Sequence, residues 1–486
     1  MKKWTKLLVG MSAILGTLLL AAGCSGGNSS SGSNKVTVSM YQPGDKPKNY
    51  NEMIKAANAR IHKTLPNVDL DLKFIGWGDW GKKYNVMVTS GDPYDISFAS
   101  DYVSNAQKGA YADLTDLMQK YAKKAYDMID PAYIKGNTVK GKLYAFPVNA
   151  NVYAANVLTF NMDLVNKYNL DISKVKSYAD LTPIFEKFHK EAPNIAAFAI
   201  GQNYKASMKA VEYPATNSLP FAVYEDGKDS KIFNRYDSPE MQKTLTMFHD
   251  WYQKGYIPRD AATSTTGYNF QENTWLVQEQ TQGPFDYGDT ILKNAAGGKD
   301  LKSMPLTDPY KSEAQAQMAN YTISKTSKHK KEAMQVLNLL NSDPVLLNNF
   351  VWGVKGTQWN FTDEKAGKIK VTKKYAPGYY LGAWIMGNNR ILYTQDTVTD
   401  AMIKTRDDGI KNTPQSAMLG FNPDISSIKT EMSNITNVMS KYNDTLNTGT
   451  ADPLPTIKKM DAELKTAGYD KVLKELQKQY DAFLKG

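Results

Sequence analysis

The chain has 486 residues, 42% hydrophobic and 11% aromatic, with a formal net charge of +10. That length supports two or more domains with full hydrophobic cores. Its lysines are spread along the chain rather than clustered, which argues against a nucleic-acid footprint, and its single cysteine, Cys24, excludes a disulfide framework.

In chain order, Lys2, Lys3 and Lys6 form a positive start, residues 7–20 are apolar and uncharged, and Ala21-Ala22-Gly23 lead into Cys24. This is the order of a bacterial lipoprotein signal, cut before Cys24, whose thiol takes a diacylglycerol. Leu20 stands four residues before the cysteine, where the commonest form of the signal has leucine three before, and Ala21 takes that place. The apolar run is shorter than the roughly 20 residues a membrane span needs. Residues 25–34 are rich in Gly and Ser and read as a flexible tether. No second long apolar run follows, so the expectation is a protein anchored to the extracellular face of the cell membrane rather than spanning it. Loss of the three leader lysines lowers the net charge from +10 to +7, which implies modest attraction to an anionic surface.

Val36, Val38 and Met40 alternate with polar residues and predict a strand. Met53, Ile54, Ala57 and Ile61 predict a helix over 49–64, and Val68, Leu70, Leu72 and Phe74 a second strand. A helix over 82–88 stops at Ser90-Gly91-Asp92-Pro93 before a short apolar strand over 94–98. Strands separated by helices argue for a parallel α/β sheet. A Lys140-Gly141-Lys142 turn precedes residues 143–147, 151–160 is strand-like, and 178–191 is an amphipathic helix. Residues 238–254 form a strong helix, with Ser238 as cap, Pro239 in the first turn, and Met241, Leu245, Phe248 and Tyr252 on one face. Another helix covers 331–340. The last ninety or so residues are helical in pattern, with two helices parted by Gly468.

Catalytic patterns are sparse. His62, His189, His249 and His329 lack metal-ligand spacing and read as surface or helix-packing residues. There is no G-x-S-x-G elbow and no Walker A loop. A glycosidase carboxylate pair meets in space rather than in sequence and stays open at this point. Gly76, Gly78 and Gly81 spell the dinucleotide fingerprint G-x-G-x-x-G. The physics opposes it: Trp77 and Trp80 fill positions where a pyrophosphate must approach bare backbone. Asp69, Asp71 and Lys73 also leave one face of the preceding strand wet.

The aromatics suggest a different chemistry. A sugar ring stacks its C–H face on indole while its hydroxyls require polar side chains at the rim. Trp77 and Trp80 sit where a strand passes into a helix, the edge at which open α/β sheets hold ligands. Tyr41 with Gln42, Asp101 with Tyr102, Asn149 with Asn151, and Asp286 with Tyr287 offer the same mixture after other strands. Taken singly, each aromatic reads as ordinary packing; the recurrence at strand ends favours a cleft.

Several segments carry a family resemblance. These are the lipobox, 90–96 running into Ser97-Phe98, Gly109-Ala110-Tyr111-Ala112-Asp113-Leu114-Thr115, and Gly141-Lys142-Leu143-Tyr144-Ala145-Phe146-Pro147. They resemble the large extracellular solute-binding proteins of ABC importers. Trp384-Ile385-Met386-Gly387-Asn388, Leu419-Gly420-Phe421 and the stretch from Leu464 to Gln479 are similar to a Gram-positive subgroup of those lipoproteins. The family's Gly-Ile-Glu-Gly-like loop reads Gly353-Val354-Lys355-Gly356 here, with lysine in place of the acid.

The resemblance implies a two-lobed α/β clamp of the type II periplasmic-binding-protein kind, with a helical C-terminal region, closing over solute by a hinge. It implies residues 35–150 in lobe 1, 151–280 in lobe 2, 281–330 back in lobe 1, 331–400 in lobe 2, and 401–486 as the helical region. Tyr41, Gln42, Trp77, Trp80, Asp101, Tyr102, Asn149, Asn151, Asp286, Tyr287, Trp384 and Asn388 are the expected ligand-binding positions. The expected function is capture of a solute, an oligosaccharide by the aromatic content, by a monomer that delivers it to an ABC permease. No catalysis, metal or cofactor is expected. A peptide or other small solute is the alternative ligand, and a surface sensor or adhesin without transport the alternative role.

Overall fold

The computed structural model describes residues 35–91, 93–265 and 267–486. The expected leader, the tether and Cys24 lie outside these residues, as does Asp92 of the stop signal. From Val36 to Gly486 the chain forms one compact unit holding two main sheets, three smaller ones and two large hydrophobic cores.

The strands that build the two main sheets are, in chain order, β1 (Val36–Pro43), β2 (Val68–Ile75), β3 (Ile96–Phe98), β4 (Ala145–Pro147), β5 (Ala155–Asn161), β6 (Ala196–Phe198), β7 (Trp275–Gln282), β8 (Leu301–Pro305) and β9 (Asn320–Ile323). The first lobe's sheet runs β2-β1-β3-β9-β4. Its first three strands are parallel, as the alternation of strand and helix predicts; β9 and β4 are added antiparallel to their neighbours. Register pairs Val38 with Leu70 and Met40 with Leu72, which buries all four apolar side chains on one face. Asp69, Asp71 and Lys73 of β2 remain half-exposed. The second lobe's sheet runs β8-β5-β7-β6, with β5 antiparallel to both neighbours and β6 parallel to β7.

The strong helix of the second lobe spans Pro239–Gln253, and Ser238 Oγ accepts the Met241 N–H at 3.2 Å. The expected helix over 82–88 begins earlier and spans Trp77–Ser90. Gly78 and Gly81 therefore lie inside a helix, and Asp79 pairs with Lys83 one turn on at 2.9 Å. The fingerprint of glycines is not a phosphate-cradling loop.

The expected lobe boundaries need two corrections. β8 pairs with β5, so the chain stays in the second lobe to about residue 305 and crosses back over 306–312. Residues 331–400 are expected in the second lobe, yet helix Lys330–Ser342 and the segment up to Met386 pack in the first lobe's core. Apolar periodicity marks Lys330–Ser342 as half-sunk in a core but carries no sign of which core. The C-terminal region is also divided. Ile410 of helix Asp400–Asn412 belongs to the first core, while helices Lys429–Asn447, Pro453–Thr466 and Tyr469–Lys485 complete the second.

Three segments therefore join the lobes: 148–154, 306–312 and 413–421. The last two run side by side, with the Lys311 N–H on the Pro414 carbonyl at 2.9 Å and the Ser416 N–H on the Lys311 carbonyl at 3.0 Å. Lys311 also reaches into the first lobe, pairing with Asp130 at 2.9 Å where both are nearly buried. Among the described residues no helix is long and apolar enough to cross a membrane.

Candidate ligand-binding site

A cavity of about 600 Å³ opens where the lobes and their connections meet. The first lobe contributes Asp101 and Tyr102, just past the end of β3; the second contributes Asn156 of β5, Ser207 and Tyr213; the connection over 306–312 contributes Thr307. Asp101 adopts a left-handed backbone (φ 47°) at the head of helix Tyr102–Gln107, which turns the chain sharply at the sheet edge. Tyr102 is buried, donates to the Asn137 carbonyl at 2.6 Å and stacks on Tyr111, so only part of its ring is offered to the cavity.

The cavity is acidic. Glu212, Glu225, Asp308 and Glu313 line it with Asp101, and no Lys, Arg or His is among the lining residues. Glu212 accepts the Glu313 N–H and the Ser416 hydroxyl, tying the second lobe to both connections. Glu313 in turn accepts the Gly420 N–H at 2.6 Å. Burial raises the pKa of both carboxyls, against these hydrogen bonds. Burial, with the charges of Glu212 and Asp308, pushes Glu225 up to about 8.

Trp77 and Trp384 lie apart from the cavity lining but form an exposed stacked pair, and Trp77 also meets Phe98 of β3 edge-on at 6.5 Å. Because β1 lies between β2 and β3, the strand ends that lead to Trp77 and to Asp101 lie at one edge of the first sheet, about two strand spacings or ~10 Å apart.

The remaining expected positions lie outside the cavity lining. Trp80 is buried, with its indole N–H on Ser100 Oγ at 2.7 Å. Gln42 is buried and accepts the Tyr321 hydroxyl at 3.1 Å, while Tyr41 is half-buried with Lys73 Nζ 5.3 Å from its ring centre. Asn149 and Asn388 are buried where the first connection crosses residues 387–389; Asn149 binds the Met128 carbonyl and Asn388 the Asn341 carbonyl. Asn151 donates to Asp286 at 3.2 Å and accepts the Phe285 N–H, and burial pushes Asp286 up to about 6. The Tyr287 hydroxyl accepts from Arg406 at 2.8 Å. Lys355, in the loop where the resemblance expects an acid, pairs with Glu364 at 3.4 Å and does not line the cavity.

Sequence reasoning missed Asn156, Ser207, Glu212, Glu225, Thr307 and Glu313. Apart from Asn156 in β5, they lie on or just past the connection over 306–312 and on short or irregular segments of the second lobe, where neither period 2 nor period 3.6 gives a signal. The signal that existed was a polar residue, Asn156, inside an otherwise apolar strand pattern. Among the described residues no group of three or more His, Cys, Asp or Glu could hold a metal ion.

Comparison with known proteins agrees with this architecture. Residues 43–345 match the family model described as bacterial extracellular solute-binding protein, and residues 417–485 match one described as a domain of unknown function. Along its whole length the chain is 42% identical to 99% of a carbohydrate ABC transporter substrate-binding protein of Streptococcus pneumoniae serotype 4. It is also similar to the N-glycan transport solute binding protein of S. pneumoniae in its complex with Man1GlcNAc (43% identity, 93% of this chain and 100% of that one, TM-score 0.87). The complex of that protein with Man5GlcNAc gives 44% identity, 93% and 99% coverage and a TM-score of 0.84. These relatives are substrate-binding proteins and not enzymes. The lobes, the cavity between them and these matches agree: the chain belongs to the bacterial extracellular solute-binding protein family.

Proposed function

We propose that this protein is a lipid-anchored receptor that captures an oligosaccharide between its lobes and presents it to the permease of an ABC importer. One observation carries the reading: the cavity at the lobe junction belongs to a chain 43–44% identical, over nearly all its length, to a protein solved with Man1GlcNAc and with Man5GlcNAc. The chemistry of the walls supports it. Amides, hydroxyls and carboxylates suit the many hydroxyls of a glycan, and the indole pair on the same sheet edge suits its apolar C–H faces. Asp101 and Tyr102 at the cavity, with Trp77 and Trp384 beside it, are the proposed first-lobe contacts. Closure is driven by contacts completed only when both lobes touch the ligand. The order of charged, apolar and small residues before Cys24 supports the anchor.

The test is calorimetric titration of the soluble domain, begun after Cys24, with Man1GlcNAc, Man5GlcNAc and unrelated peptides. Saturable binding of the glycans alone supports the reading, and binding of peptides alone overturns the ligand class. For the anchor, Cys24→Ser moves the full chain from the membrane pellet to the soluble fraction; continued sedimentation in high salt removes lipidation as the cause.

A further inference from the structure

The second lobe's wall of the cavity rests on a carboxylate with no cation beside it. Glu279, on β7, is partly exposed as a residue, but its carboxylate is packed deep among protein atoms and accepts from the hydroxyls of Tyr178, Tyr204 and Ser207. Each hydroxyl has one proton to give. The Tyr178 and Tyr204 hydroxyls also lie 3.0 Å apart and share a hydrogen bond in which either can donate, whereas the Ser207 proton is directed at Glu279 and leaves Ser207 Oγ as an acceptor. Tyr178 Oη takes the Ser207 main-chain N–H at 3.1 Å, and Ser207 Oγ takes an N–H from the Asn156 side-chain amide at 2.6 Å. Thr281 donates to the other end of that amide, Asn156 Oδ1, at 3.2 Å. The amide therefore stands with nitrogen toward Ser207 and oxygen toward Thr281.

An amide nitrogen carries two N–H groups, and Ser207 accepts only one. Asn156 lines the cavity, and among the described residues its second N–H has no protein partner. Its main chain is fixed as well: its N–H donates to Thr307 Oγ1 at 2.9 Å, and its carbonyl accepts the N–H groups of Leu306 and Thr307 on the neighbouring connection. The orientation of this amide, on a residue that lines the space between the lobes, is set from three sides.

We propose that Asn156 gives this N–H to a hydroxyl or ring oxygen of the captured glycan, and that Glu279 is the positioning residue that fixes the amide's orientation through Ser207. The inference rests on the cavity being the solute site. An acceptor-only group at the base of the relay dictates the direction of the Ser207 proton; a neutral carboxyl or an amide in its place does not. The titratable groups facing Glu279 are the phenols of Tyr178 and Tyr204, while Lys205 next to them is turned to Asp444 at 3.8 Å. Burial raises the Glu279 pKa, opposed by its three hydroxyl bonds, so acidification protonates it and removes an acceptor from the relay.

The experiment titrates Man1GlcNAc into the wild-type soluble domain, Glu279→Gln, Ser207→Ala and the double variant, between about pH 5 and about pH 8, with a melting curve for each. The expected result is wild-type affinity that weakens as pH falls. Each single variant is expected to bind about tenfold more weakly at neutral pH, the scale of one lost hydrogen bond. Glu279→Gln is also expected to have a shallower pH slope than wild type, the remainder belonging to Glu225 at the same cavity, and the double variant to bind no worse than either single one. Losses that multiply in the double variant, wild-type affinity in either single variant, or an unchanged pH slope in Glu279→Gln would each overturn the relay. If Glu279→Gln does not fold, Ser207→Ala, which removes one hydroxyl, decides by its affinity alone. A wild type that binds no glycan fails at the first arm and removes the solute reading itself, a result distinct from binding that the variants leave untouched.

Discussion

Trp77 and Trp384 stack on one another with ring centres 5.8 Å apart and planes 16° from parallel, although each remains well exposed, at 53% and 43%. Two near-parallel indoles with ring centres 5.8 Å apart leave no room for a pyranose between them, since carbon atoms need ~3.5–4.0 Å on each side. A glycan ring must stack on an outer face or part the pair. Trp77→Ala is therefore expected to weaken glycan binding by about 1–3 kcal/mol, the scale of one aromatic platform, and to lower stability by about 0.5–1.5 kcal/mol through the lost stack. Calorimetry and a melting curve separate the two effects. Wild-type affinity in a folded Trp77→Ala protein takes Trp77 out of the site.

Trp80 stands three residues away and gives the opposite expectation. It is 4% exposed, with ring centres 5.3 Å from Tyr84 and 6.3 Å from Phe98. Trp80→Ala is expected to cost about 3–5 kcal/mol of stability, as aromatic deletions in a core do, and to strand the Ser100 hydroxyl's partner bond. The folded fraction retains its affinity for glycan. A urea midpoint shift with unchanged titration is the signature; lost affinity at full folding would return Trp80 to the site.

This contrast shows where sequence is legible. Both tryptophans were read at a strand-to-helix edge, and that placement holds for Trp77 at the head of helix Trp77–Ser90. Helical phase does not separate the two indoles: Trp77, Trp80, Tyr84 and Met87 fall on one face, at spacings of three, four and three, and Trp77 is exposed because it opens the helix. The register of β1 on β2 was equally legible, because Val38, Met40, Leu70 and Leu72 alternate with wet residues. The assignment of 331–400 was not. A helix such as Lys330–Ser342 states only that it has an apolar face, and the lobe it joins depends on crossings that no local period records. Glu212 and Glu313 were invisible for the same reason. They meet through a two-residue strand and a five-residue helix brought together by the connections between lobes.

The carboxyl of Glu225 gives a pH signature of stability. Burial comes first, then Glu212 and Asp308, in raising it to about 8. In the unfolded chain a glutamate ionises near its ordinary value of about 4.3, so between there and about 8 the folded state holds the extra proton. Stability must then fall as pH rises through that interval. Glu212 and Glu313, also raised by burial, add slope in the same direction. Glu225→Gln removes one contribution, so its melting temperature is expected to fall less than that of wild type between about pH 5 and about pH 9. Parallel curves for the two proteins would show that Glu225 does not hold its proton in the fold.

The same carboxylates bear on which glycans are admitted. A chain of net charge +10 surrounds a cavity whose acidic lining residues are Asp101, Glu212, Glu225, Asp308 and Glu313, with no cation among them. Burial holds the three glutamates toward their neutral form, so the like charge a glycan meets comes chiefly from the exposed Asp101 and Asp308. A glycan carrying a phosphate or a uronic carboxylate brings a like charge to that lining. At 4 Å a like-charge pair costs about 1 kcal/mol in bulk water and about 4 kcal/mol at the effective dielectric near a protein surface. A Man5GlcNAc bearing one phosphate is therefore expected to bind at least about tenfold more weakly than the neutral glycan at low ionic strength. Asp101 and Asp308 are exposed, so their share is screened, and the gap should narrow as salt rises. Asp308→Asn should narrow it at low salt too, while leaving the neutral glycan's affinity nearly unchanged. Equal binding of both glycans at low salt would mean the captured sugar keeps clear of the acidic wall, and with it that the aromatic edge at Trp77 and Trp384 holds the ligand instead.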